Sequence, residues 1–223
     1  MKLLFGLMTA GATACLIAAP LANAHETHKD NGPRVEESYD FKDFTGIIVS
    51  GVYEVEIEVG GDYAIDFSGS EKRMKHVEVT KSGDTLYLGT DKSRVQWKGK
   101  NNGILAKITL PALDEVSLTG VGSIETTGIN ATTFVSEVEG VGSVELSGRC
   151  TTFKASVEGV GSLEATRLKC ESVDVSVEGV GSAEVYASES VEADVDGVGS
   201  IDVIGSPEKV KKSKSLMSSI SVR

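Results

Sequence analysis

EGVGSVEL, residues 139–146, is one of five near-copies of a single phrase; the others read TGVGSIET, EGVGSLEA, EGVGSAEV and DGVGSIDV. The first glycine of each GVGS falls at 120, 140, 159, 179 and 197, so the intervals are 20, 19, 20 and 18 residues. Anchored on that glycine, the columns are regular. Two residues before it stand Leu118, Val138, Val157, Val177 and Val195, and four after it Ile124, Val144, Leu163, Ala183 and Ile201. One residue after it is always valine: Val121, Val141, Val160, Val180 and Val198. Polar columns lie between, with Thr119, Glu139, Glu158, Glu178 and Asp196 before the glycine and Glu125, Glu145, Glu164, Glu184 and Asp202 after it. Alternation of period two, rich in β-branched residues, belongs to half-buried strands and not to a helix.

A unit of about 19 residues cannot bury its own inner face. Stacked on its copies at about 4.8 Å per layer, it aligns equivalent apolar residues into continuous internal ladders. The repeat therefore predicts an all-β chain folded as a parallel β-solenoid, a right-handed single-stranded β-helix with coils of about 19 residues; the hand follows from the handedness of parallel crossovers. Each GVGS is read as a corner that turns sharply with one or both of its glycines at positive φ, the valine between them pointing inward. LMSSISV, residues 216–222, aligns with residues 197–203 and reads as a degenerate last coil. Lys209, Lys211, Lys212 and Lys214 precede it and blunt an exposed edge.

The chain start has a different composition. Met1-Lys2, an apolar run from Leu3 to Ala19 and Ala22-Asn23-Ala24 form a signal peptide over residues 1–24, cleaved before His25. Export to the periplasm, the extracellular space or the cell surface is expected, with a flexible segment over residues 25–39. Residues 40–112 read as an irregular β start, either of the same solenoid or of an antiparallel cap, and residues 113–222 as regular coils. The full chain carries 22 basic and 33 acidic side chains, a net charge of −11, which disfavours nucleic acid and anionic lipid as partners. No stretch after residue 24 is long and apolar enough to span a membrane.

Three stretches, taken in order, carry a resemblance: FTGIIVSGVYEVEI (44–57), GDTLYL (83–88) and ITLPALDEVSLTGVGS (108–123), followed by the repeated corners. Together they resemble the bacterial family of auto-transporter adhesin, head GIN domains, over residues 40–222. That resemblance implies an exported right-handed β-helix, an adhesin by label, with no established biochemical activity. Members often show Ser-Gly-Ser-Gly corners where this chain has Gly-Val-Gly-Ser.

Candidate sites are few. Cys150 and Cys170 each lie nine residues before a corner glycine, which puts them in one column of adjacent coils. They are disulfide candidates in an oxidising compartment, although Ala131 and Ser188 in the same column fit a plain preference for small residues. The column Glu139, Glu158, Glu178, Asp196 is a candidate cation ladder, since stacked like charges repel by about 1 kcal/mol per pair even in water. The alternative is a solvated, salt-screened face. Arg94, Trp97, Lys98 and Lys100 form a basic island around the only tryptophan, suited either to contact with a glycan or protein partner or to packing over the first coil. His25 and His28, next to a new α-amine, form a weak candidate metal chelate. Catalysis would rest on His76 alone, and the acids stand in regular columns, so no cofactor and no enzyme are expected. The functional expectation is a non-catalytic envelope or surface module of adhesin-like character, with a protein or glycan partner and a possible homodimer through the solenoid ends. Alternatives are a carbohydrate-active β-helix enzyme and a cation-binding structural protein.

Overall fold

A computed structural model describes residues 33–91 and 103–223. The segment 1–24, His25, His28 and the basic island Arg94, Trp97, Lys98 and Lys100 lie outside the described residues. The N-terminal half contains β1 (Arg34–Ser38), β2 (Gly46–Val49), β3 (Val52–Val59), β4 (Ala64–Ser70), the short helix α1 (Glu71–Met74), β5 (Val77–Ser82), β6 (Thr85–Thr90), β7 (Ile104–Leu110) and β8 (Glu115–Leu118). Four long strands follow: β9 (Val121–Val138), β10 (Val141–Val157), β11 (Val160–Val177) and β12 (Val180–Val195). The last elements are β13 (Val198–Ile204), β14 (Lys209–Lys214) and β15 (Ser219–Val222). Each long strand begins at one corner valine, runs round the coil, and stops just before the next corner glycine.

The coils stack in parallel and in register, as the repeat requires. Val141 pairs with Val121 on one side and Val160 on the other, and Phe153 with Phe134 and Val173. The residues two before the corner glycine and those four after it are all buried, so they form the internal ladders. Phe134 and Phe153 stack with ring centroids 6.1 Å apart. The degenerate last coil also keeps its register, Ile201 meeting Ile220 and Val203 meeting Val222.

The start of the chain is both solenoid and cap. β2 lies between β6 and β8, and β3 between β7 and β9, all parallel. Residues 46–58 therefore follow residues 115–127 around most of a coil, with strands from later in the sequence on either side. Antiparallel pairs β4 with β7, β5 with β6 and β1 with β4 close that end. Arg34–Ser38, expected within a flexible segment, is instead the strand β1. Its backbone pairs along β4 from Arg34 with Ser70 to Ser38 with Asp66, and Val35 packs on the core, which offsets its polar composition.

The corner differs from the sequence reading in two ways. Its valines do not point inward: Val121, Val141, Val160, Val180 and Val198 are 48%, 51%, 56%, 56% and 47% exposed. Strict alternation explains this. If the residues two before and four after the glycine face the core, both glycines face inward and the valine between them faces out. The period of two runs through the corner unbroken, and hydrophobicity alone misassigned the valine.

The second difference concerns why glycine is needed. Gly122, Gly142 and Gly197 have φ of 151°, 158° and 157°, so the expected positive φ is met by one glycine at each of three corners, but it is not the demand common to all five. Close approach is. A Cβ on Gly140 would lie 1.9 Å from the carbonyl oxygen of Gly120, and one on Gly159 would lie 2.1 Å from that of Gly140. Those oxygens accept the hydrogen bonds that join the coils, Val141 N–H to Gly120 O at 3.0 Å and Val160 N–H to Gly140 O at 3.1 Å.

Candidate functional site

The outward phase of the corner creates a surface feature. Val52, Val121, Val141, Val160, Val180 and Val198 pair one with the next across adjacent parallel strands. At one rung per layer, this apolar ridge is about 24 Å long. Met217, 73% exposed, sits one repeat beyond Val198 in the sequence, beside the fully exposed Leu216. Val52 belongs to an early corner copy, SGVYEV at residues 50–55, which sequence reading missed because Tyr53 replaces the second glycine. The Tyr53 ring packs edge-on against Phe67 and its hydroxyl donates to the carbonyl oxygen of Gly89.

The ridge runs between polar files. Glu139, Glu158, Glu178 and Asp196 stand exposed immediately before it, and among the described residues none of them forms an ion pair. Serines at 123, 143, 162, 182 and 200 follow the ridge, in register from coil to coil. Beyond them lie Glu125, Glu145, Glu164, Glu184 and Asp202, also in register. This second acidic file is partly neutralised, by Arg167 on Glu145 and by Arg223 at 3.9 Å from Asp202. In the same file, Glu56 on β3 pairs with Lys107 at 2.9 Å.

The expected cation ladder is not assembled. Among the described residues, no group of three or more His, Cys, Asp or Glu side chains is placed to hold a metal ion. The reason is geometric: one carboxylate per layer gives a file of parallel groups, whereas a hard cation needs several oxygens converging on one point. The charge crowding is nevertheless felt. Glu137 has its pKa raised, first by burial and then by Glu115, Glu139 and Glu158 around it.

Cys150 and Cys170 are joined in a disulfide between β10 and β11, with Cα atoms 4.6 Å apart. They are direct register partners, which is what a shared column in adjacent coils provides. His76 follows α1, where its backbone N–H donates to Arg73 O at 3.0 Å and its carbonyl accepts from Asp91 N–H at 3.0 Å. Asp91 and Gly103 are the described residues flanking the basic island. Because β6 and β7 pair with β2 and β3, the chain leaves and returns at the corner that carries the ridge in later coils.

Stacked parallel coils with in-register internal ladders define the class: a β-solenoid. Within that class, the chain belongs to the family described as "Putative auto-transporter adhesin, head GIN domain", whose model matches residues 43–207. It is similar to the crystal structure of a "putative adhesin" from Bacteroides fragilis NCTC 9343, with 26% identity, a TM-score of 0.72, and coverage of 86% of this chain and 97% of that one. A "putative adhesin" from Parabacteroides distasonis ATCC 8503 shares the fold at 14% identity and a TM-score of 0.52, covering 86% of this chain and 98% of that one. No curated protein matches the chain. Among the described residues, no helix is long and apolar enough to cross a membrane.

Proposed function

We propose that this chain is an exported, non-catalytic, adhesin-like module of the cell envelope or surface, and that the valine ridge is its contact face. The observation that carries the reading is the ridge itself. A continuous file of half-exposed valines gains nothing for the core, yet it recurs at every corner; such a stripe is suited to burial against a partner. Its acidic borders, one of them without counter-ions among the described residues, favour a partner whose surface is basic around an apolar groove. Adhesin-like family membership and the signal peptide read at residues 1–24 support the same reading.

The test replaces Val141, Val160 and Val180 together by threonine, which keeps their shape and removes their apolarity. The secreted chain and this variant are immobilised and exposed to envelope extract, and both are assayed for release of sugar from a polysaccharide panel. Capture of a basic partner by the parent, weakened at least about tenfold in the variant, is expected from the lost apolar contact. Equal capture by both proteins would contradict the contact face, and sugar release would favour the carbohydrate-active reading.

A further inference from the structure

About half a coil from the ridge, the repeat breaks. The register between coils shifts between Leu146 and Gly148 where β10 meets β9, between Glu145 and Ser147 where it meets β11, and on both sides of Cys170 where β11 meets β12. Elsewhere in these coils the columns continue unbroken, and just past the shifts the ladder resumes with Asn130, Arg149 and Lys169 in one file. A surface cavity of about 410 Å³ opens here beside the Cys150–Cys170 disulfide, and Asn130, Arg149, Lys169, Glu171, Tyr186 and Ser188 line it.

Two cations stand side by side in its lining. Arg149 and Lys169 immediately precede the bridged cysteines and are direct register partners across β10 and β11. Like charges placed opposite one another destabilise a sheet, and the disulfide fixes the two coils in spite of that. Arg149 Nε donates to Asn130 Oδ1 at 2.9 Å, which sets the plane of the guanidinium. Among the described residues, its two terminal nitrogens have no partner. Lys169 Nζ donates to Thr166 O at 2.8 Å and lies 3.7 Å from the centroid of the Tyr186 ring, which holds the ammonium in place. With Glu171 the cavity carries a net charge of about +1 on a protein whose net charge is −11.

We infer that this cavity binds an acidic saccharide through the carboxylate of a uronic-acid type sugar. A planar guanidinium with free terminal nitrogens matches a carboxylate in two-pronged fashion, and a fixed ammonium beside it adds a second positive charge. The amide of Asn130, the hydroxyl of Ser188 and the carboxylate of Glu171 supply donors and acceptors for sugar hydroxyls around the half-buried Tyr186. A single net positive charge suits one carboxylate per sugar, whereas a dianionic phosphate would meet repulsion from Glu171. The volume admits a small ligand of about one or two rings. These residues are separate from the valine ridge, so the two readings stand or fall independently.

The experiment is calorimetric titration of the full secreted chain with a galacturonate trisaccharide, the neutral galactose trisaccharide and inorganic phosphate. The acidic trisaccharide is expected to bind, and the other two to bind at least tenfold more weakly, about one charge-assisted hydrogen bond's worth. Arg149→Ala and Lys169→Ala should each weaken binding at least about tenfold, and Arg149→Lys should not restore it. Both positions are exposed, so circular dichroism should show an unchanged fold. Glu171→Gln, which removes the negative charge, should tighten binding, an outcome that misfolding cannot imitate. Absence of binding by the acidic trisaccharide, equal binding of phosphate or of the neutral sugar, or titrations unchanged by both alanine variants would overturn the inference.

Discussion

Adjacent residues of one corner respond to substitution in opposite ways. Gly159→Ala would drive a Cβ into the Gly140 carbonyl oxygen, an atom held by its hydrogen bond from Val160 N–H. Backbone on both sides leaves no side chain able to give way, so a loss of more than about 4 kcal/mol is expected in urea unfolding. Val160→Thr, one residue on, changes an exposed position and should alter stability by no more than about 0.5 kcal/mol. Glu137 offers a pH signature. Its folded pKa is raised above the unfolded value, so the stability its protonated carboxyl contributes is fully present below the ordinary Glu range and is lost as pH rises through the folded value. Glu137→Gln should therefore stabilise the protein at pH 7, with the gain disappearing in acid; unfolding midpoints of the two proteins at neutral and acidic pH check this.

Between coils, the backbone hydrogen bonds and internal ladders hold the stack, and the disulfide adds a covalent tie. Linking residues with a sequence separation of 20 removes loop entropy from the unfolded chain, worth about 3 kcal/mol in the chain-entropy model. The Cys150→Ala/Cys170→Ala double variant should lose about that much in urea unfolding while keeping its β circular dichroism, because the Phe134–Phe153 ladder does not depend on the sulfurs. Intact mass under non-reducing conditions, 2 Da below the reduced chain, reports the bond directly. The regular coils were legible because one column of matching residues per coil makes the register explicit. The N-terminal coils were not: β6 and β7 pair beneath β2 and β3 out of sequence order, which no local period records. Tyr53, standing where later corners have glycine, hid one further copy. The two cysteines were legible as one column, whereas the cavity beside them was not. Arg149 and Lys169 share the column just before the cysteines, but the register shifts around Cys170 take Tyr186 out of the repeat, and only coordinates bring its ring under Lys169.

At the scale of the whole molecule, one end is closed by antiparallel strands and the other finishes on β14 and β15. Lys209, Lys211, Lys212 and Lys214 lie on β14, with Lys211 paired to Glu192 of the coil before. A lysine-rich outer strand discourages edge-to-edge pairing with another copy. The long surface is instead organised lengthwise, as an apolar ridge between acidic files. Sequence reading recovered the solenoid, the length of its coils and its last coil, but set the corner valine on the wrong side because it judged that position by hydrophobicity and not by parity. Everything proposed for the ridge depends on that side. Single cysteines placed at position 160 and at position 157, each reacted with a maleimide in the folded, non-reduced protein, test it most directly. A thiol at 160 should react nearly as fast as in denatured protein, and one at 157 orders of magnitude more slowly, through opening of the stack alone. Protection at 160 with free reaction at 157 would contradict the outward corner and the contact face built on it.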